Sequence, residues 1–299
     1  MEKISLIGCI LVLCFSILVF SGVRNARSDD VGRIEYRLIK QWETVKGLRV
    51  PESVLYDACG NILYVSNING RPTEKNGQGF ISKVSLNGKI EVLKWATGLD
   101  APKGSAIHGN KLYVSDIDQL VEIDLKTGKI LSKYPAAGAK FLNDVATDAL
   151  GNVYVTDMSS KNSAIYKLNQ GKMSGWVTGR EISRPNGLCM EEKRLVVGNS
   201  GDGSLKAINL ADKKITTLTK VGSGIDGLRS DGQGNYFISD WKGKTSMVTA
   251  SGKVIVLIDT TSSKINSADL EYIKTKKLLL IPTFFDNRVV AYEVKRDAE

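Results

Sequence analysis

The sequence predicts an all-β fold, a six-bladed β-propeller with four-stranded blades preceded by an N-terminal export signal. Two observations carry that reading of the fold. Six short β-type runs share one pattern, LYVSN (63–67), LYVSD (112–116), VYVTD (153–157), LVVGN (195–199), YFISD (236–240) and LLLIP (278–282), and their starts are 49, 41, 42, 41 and 42 residues apart. A period near 42 built of strands is a propeller period, because a blade of four strands uses about that much chain. Turn-forming residues also recur at fixed offsets from the runs, dividing each period into strand-length pieces. With 299 residues, 42% of them hydrophobic, the chain can bury a large core, and the repeat makes that core one domain rather than two.

Residues 1–21 differ in kind from the rest. Lys3 precedes an almost unbroken apolar run from Ile4 to Val23, which gives way to the polar stretch Arg24 to Asp30. Such a segment reads as a signal peptide, with Val19 and Ser21 small enough to stand three and one residues before a cleavage point. The run also approaches the roughly 20 residues that span a bilayer, so an uncleaved anchor is the alternative. Either outcome places the domain outside the cytoplasm, periplasmic or secreted, with the membrane touched only through this segment. Residues 22–33 read as a linker and 34–295 as the propeller. Cys9 and Cys14 fall in the leader, while Cys59 and Cys189 occupy non-equivalent places in their repeats and are expected as separate thiols.

Ahead of each run lies another strand and a tight turn, clearest in Asp57-Ala58-Cys59-Gly60-Asn61, Asp148-Ala149-Leu150-Gly151-Asn152 and Asp231-Gly232-Gln233-Gly234-Asn235. The aspartate caps backbone donors, and glycine supplies the positive φ that closes the hairpin. A third strand follows each run and ends in a second turn, as at Asn87-Gly88-Lys89, Thr127-Gly128-Lys129 and Gln170-Gly171-Lys172, before a fourth strand such as Ile90 to Leu93. These modules bury their faces only by stacking into a ring. The stretch Ile34 to Trp42 precedes the first blade and is expected as the outer strand of the last one, closing the ring.

In a propeller the first strand of each blade lines the central channel, and its start lies opposite the hairpin turn. Aligning those starts gives Glu52, Lys103, Asn143, Asn186, Asp226 and Asp269, one per blade, with a summed charge of minus two in a chain of net charge +9. Like charges gathered out of water are costly unless a cation lies among them. Carboxylate and carboxamide oxygens suit a hard divalent ion, Ca²⁺ ahead of Zn²⁺, Mn²⁺ or Mg²⁺. Lys103 and Asp269 either position a substrate or neutralise each other as a buried pair. A second ring is expected just outside the first, from Asn67, Asp116, Asp157, Asn199 and Asp240, with Trp241 beside the last and Phe284-Phe285 offering apolar surface.

The stretches PES (51–53), FLND (141–144), PNGL (185–188) and IDGL (225–228) resemble the four signatures of the senescence-marker-protein/gluconolactonase (regucalcin-like) family of six-bladed propellers. The resemblance implies a metal held by Glu52, Asn143, Asn186 and Asp226, and hydrolysis of a lactone or similar ester as the activity. It also marks two departures. Sugar-lactone members carry a substrate-contacting arginine where this chain has Phe141, and a substrate-contacting glutamate where it has the loop Met158-Ser159-Ser160-Lys161. Gluconolactone itself is therefore not the expected substrate.

The remaining chemistry is narrow. A single histidine, His108, sits in a turn at the far end of blade two, which excludes Ser-His and Cys-His nucleophiles and histidine-rich zinc sites. Lysines are dispersed rather than gathered into a stripe with stacking aromatics, so no nucleic-acid partner is expected. If the protein is an enzyme, a metal must polarise the substrate, with Asp226 as both ligand and proton acceptor. The alternative is a non-catalytic, metal-stabilised propeller that binds a ligand or a protein. The sequence leaves the oligomeric state open.

Overall fold

Each of the six runs forms the second strand of its own four-stranded antiparallel sheet, and within the first five sheets the strands follow chain order. The structure, a computed structural model, describes residues 35–161 and 163–297. Blade one comprises Pro51–Asp57, Ile62–Asn67, Gly79–Val84 and Ile90–Leu99. The first strands of blades two to six are Pro102–His108, Leu142–Thr147, Pro185–Met190, Leu228–Ser230 and Glu271–Ile273. Glu35–Glu43, as expected, is the outer strand of blade six, paired antiparallel with Val289–Asp297. The predicted signal peptide and linker, 1–21 and 22–33, lie outside the described residues. Among those described, no helix is long and apolar enough to cross a membrane, and Cys59 and Cys189 are free thiols.

The core lies between blades rather than within them. One apolar cluster fills each interface, as where Leu112, Val114 and Val121 of blade two meet Tyr64, Ile81 and Leu99 of blade one. Blade six meets blade one through Ile273, Leu280 and Val289 against Leu48, Val54 and Leu63. Burying both faces of every second strand explains why those runs are nearly continuous hydrophobics, fully buried from Leu63 to Asn67 and from Val153 to Asp157. The ring also closes through backbone, because Asp269 N–H donates to Glu52 O (2.9 Å) and Ser53 bridges Asp269 in parallel.

The hairpin turns behave as read, with one difference. Gly151 and Gly234 take positive φ, but in blade one it is Asn61, at φ 49°, and not Gly60. Asp148 accepts from Leu150 N (3.0 Å), Asn152 N (2.9 Å), Asn152 Nδ2 (2.6 Å) and the Tyr154 hydroxyl (3.2 Å). Asp148→Ala strands these donors and is expected to cost about 1–2 kcal/mol in urea unfolding, with no change in ligand binding at the opposite end.

Candidate functional site at the channel mouth

The first-strand starts are not regular strand. Each of the first four blades shifts register there, between Pro51 and Ser53, Pro102 and Ser105, Leu142 and Val145, and Pro185 and Leu188. The polar residue of each blade therefore sits in a bulge, which re-aims a side chain away from the sheet normal. In blades five and six Asp226 and Asp269 precede the strand altogether. Hydroxyls on neighbouring strands hold these irregular segments. Ser53 Oγ donates to Lys103 O (2.8 Å), Ser115 Oγ to Asn143 O, Thr156 Oγ1 to Asn186 O (3.0 Å) and Ser239 Oγ to Ala268 O (2.7 Å). Blade four has Gly198 at this place, where a Cβ would strike Ile225 at 2.3 Å.

A cavity of about 680 Å³ opens at this mouth, lined by Glu52, Lys103, Asn143, Asn186 and Asp226, with Phe141, Asp240 and Trp241 around them. Asn186 Nδ2 donates to Asp226 Oδ1 at 2.5 Å. Met158 Sδ receives the amide of Asn143 (3.0 Å) and lies 3.7 Å from that of Asn186. Both carboxamides thereby turn their nitrogens aside, and Asn143 Oδ1 and Asn186 Oδ1, like Glu52 Oε2, are buried without a hydrogen-bond partner. Unsatisfied buried oxygens are rare in folded proteins and call for a counterpart. Three of them beside the Asp226 carboxylate form a donor set that fits a hard cation. Among the described residues no three histidine, cysteine or acidic side chains gather as a metal group, so this set depends on its two carboxamides.

Electrostatics follow from that crowding. Burial and the nearby Asp226 push the Glu52 carboxyl well up. Asp226 is raised to about 7, mainly by burial, with the Asn186 amide acting in the opposite sense. Burial lowers the Lys103 ammonium to about 8, partly offset by Glu52. Its Nζ donates to Ala101 O (2.9 Å) and stands 4.9 Å from the Phe141 ring centroid.

Two of the predicted site residues lie elsewhere. Lys103 and Asp269 do not pair. Asp269 is buried and does not line the cavity; the Arg229 guanidinium reaches it at 3.6 Å and also contacts Asp144 (3.4 Å) and Glu271 (3.5 Å). Asp157 does not line the cavity either, since it is fully buried and accepts from the backbone of Lys140 (3.1 Å), Phe141 (3.0 Å) and Ser159 (3.0 Å). Asn67, Asp116 and Asn199 tie down the corresponding entry loops through Arg49 N, Asp100 and Ala101 N, and Ser183 N. Asp240, in contrast, faces the cavity while its carboxylate accepts from Lys242 N (3.0 Å). The outer ring is thus chiefly a set of loop anchors, satisfying backbone donors that have no ladder partner.

Sequence reasoning passed over Met158, Asp144 and Arg229. Met158 reads only as part of a loop that departs from the family pattern, because a thioether carries no motif that announces a contact with two carboxamides. Arg229, one residue after IDGL, stood in the sequence as a charge within a channel strand, a position that demands carboxylate partners. An aromatic wall completes the mouth, with Trp241 edge-on to Phe284 (5.5 Å, 81°) and Phe285 (6.0 Å, 80°). Trp241 and Phe285 are 41% and 62% exposed, which leaves their faces free for a ligand.

Solved structures share this architecture. A gluconolactonase from Xanthomonas campestris superposes with a TM-score of 0.64 at 16% identity, covering 88% of this chain and 94% of that one. A catalytically inactive variant of virginiamycin B lyase from Staphylococcus aureus, solved with quinupristin, gives 0.58 at 11%, over 87% and 99%. A chain of a nidogen/laminin complex gives 0.59 at 20%, over 70% and 80%. At these identities the likeness establishes the fold alone. A search of curated protein sequences finds no match. The family model "SMP-30/Gluconolactonase/LRE-like region" matches residues 50–270, from the entry loop of blade one through the start of blade six, and the chain belongs to that family.

Proposed function

We propose that the protein is an exported, divalent-metal-dependent hydrolase of a lactone or similar ester, with Glu52, Asn143, Asn186 and Asp226 holding one ion, Ca²⁺ by preference. The observation that carries this reading is the trio of unpartnered buried oxygens, Glu52 Oε2, Asn143 Oδ1 and Asn186 Oδ1, beside the Asp226 carboxylate. Family membership and the gluconolactonase fold support lactone opening as the reaction class. When bound, the ion supplies polarisation of a carbonyl oxygen and a lower pKa for water.

The protein's own groups do the rest. Asn186 Nδ2 fixes Asp226 through Oδ1, so one carboxylate oxygen is aimed for proton transfer. As a water oxygen bonds to the carbonyl carbon, Asp226 takes its proton, and it returns that proton to the ring oxygen when the acyl carbon–oxygen bond breaks, leaving a hydroxy acid. By the family resemblance, Phe141 and the loop Met158-Ser159-Ser160-Lys161 stand in place of polar sugar-reading groups, and the Trp241–Phe284–Phe285 wall is apolar, which favours a lactone with a hydrocarbon substituent over a polyol.

Chelator-stripped protein assayed against aliphatic, aryl and sugar lactones tests the proposal. Turnover of apolar lactones, lost on stripping and restored by Ca²⁺ or Zn²⁺, is the expected result. A protein that binds the ion tightly yet turns over none of the panel is a binding module instead.

A further inference from the structure

The mouth cavity is lined by two unlike sets of side chains. The aromatic trio, with Ile68 and Pro72, supplies its apolar lining, while Arg184, Ser200, Ser223 and Lys242 supply polar and cationic groups. Arg184 stands two residues before Asn186, as Phe141 stands two before Asn143, so consecutive blades present a cation and a phenyl ring at equivalent places. Its backbone is pinned in the left-handed region at φ 48°, with N–H donated to Ser163 Oγ (3.0 Å), and Nε reaches Met158 O (3.4 Å). Three acids and three bases line the cavity. A divalent ion in the cradle leaves it with an excess of two positive charges, and Lys161 and Arg180 extend the same sign along the adjoining groove.

Resting on the hydrolase reading, the geometry points to a substrate that carries a carboxylate, read by Arg184 with help from Lys242 and the Ser200 and Ser223 hydroxyls, while its apolar portion lies on Trp241 and Phe285. A guanidinium offers two parallel donors that match a carboxylate, and a cleft of net positive charge concentrates anions.

The test separates this inference from hydrolysis. Metal-loaded protein is titrated calorimetrically with 3-oxocyclopentanecarboxylate and with its methyl ester, non-hydrolysable stand-ins for a lactone acid and a neutral lactone, and the matching lactone pair is assayed for turnover. The acid is expected to bind at least about tenfold more tightly than the ester. That ratio falls toward one in Arg184→Met, is partly kept in Arg184→Lys, and shrinks as salt rises from roughly 0.05 to 0.5 M, as screening lengths contract. Equal binding of acid and ester by the unaltered protein, or a ratio unmoved in Arg184→Met, overturns the inference even if neutral lactones are hydrolysed. Preference for inorganic phosphate over the carboxylate in competition also overturns it. Carboxylate preference without turnover of either lactone upholds the role of these cationic groups and sinks the hydrolase reading.

Discussion

Asp226→Asn is expected to lower kcat for lactone hydrolysis by roughly 10²–10⁴-fold, the range associated with loss of a positioned general base. The substitution keeps the size of the side chain and an oxygen for the contact with Asn186, so a fall in activity without a fall in folding isolates the carboxylate. It should also weaken cation binding in calorimetry, because one of the two ligand charges is gone. The unaltered protein offers a pH test of the same group. Without metal, Asp226 is raised to about 7 by burial, so below that pH a cation must displace its proton and apparent affinity should fall as the solution is acidified. A carboxyl raised in the folded state stabilises the fold below its unfolded pKa, near 4, and that contribution is lost as pH rises through about 7. Stripped protein should therefore gain more in melting temperature from added Ca²⁺ at pH 8 than at pH 5. An Asp226→Asn variant with undiminished kcat, or a calcium-induced gain that is larger at pH 5, contradicts the assignment.

Arg229→Met is expected to be the most damaging single change to stability, at about 3–5 kcal/mol in urea unfolding, the cost of leaving buried charges without their partner. Arg229 is the common counter-ion of Asp144, Asp269 and Glu271 and also donates to Leu228 O (2.8 Å) and Leu188 O (3.3 Å). Its side chain is 13% exposed, and those of Asp144 and Asp269 are 0% and 1% exposed, so solvent cannot replace it. Burial holds all three carboxyls above their ordinary range even with the arginine present, and the Arg229 charge opposes that rise. Removing the guanidinium raises them further. Their charged forms then weigh against the fold only above the unfolded values near 4, so the variant's deficit should shrink as pH is lowered toward 5. A deficit under about 1 kcal/mol at neutral pH, or one that grows on acidification, would show that the cluster is not a coupled ion network.

Arg229 also shows where reading along the chain stops. The period near 42 residues, the Asp and Gly-Asn turns and the continuous apolar runs were legible in the sequence because each is local. A strand buried on both faces must be hydrophobic throughout, and a tight hairpin needs a residue tolerant of positive φ. Six repeats and a strand-like stretch ahead of them were enough to anticipate the closing partner of blade six.

Which polar residues share the cavity was only partly legible, since alignment assigns one residue to each blade but does not aim its side chain. Bulges at Glu52, Lys103, Asn143 and Asn186 tilt those residues into the mouth, whereas Asp269, at the equivalent place, is drawn down to Arg229. Asp157 and Asp240 end the same motif in different copies, yet one is consumed by the backbone donors of its entry loop and the other faces the ligand space. The sequence by itself determined the ring, its closure and the chemical types gathered at one end. Tertiary structure alone decided the pairing, because the energy of a buried charge depends on which partner comes within a few ångströms of it across blades, here 40 to 85 residues away along the chain.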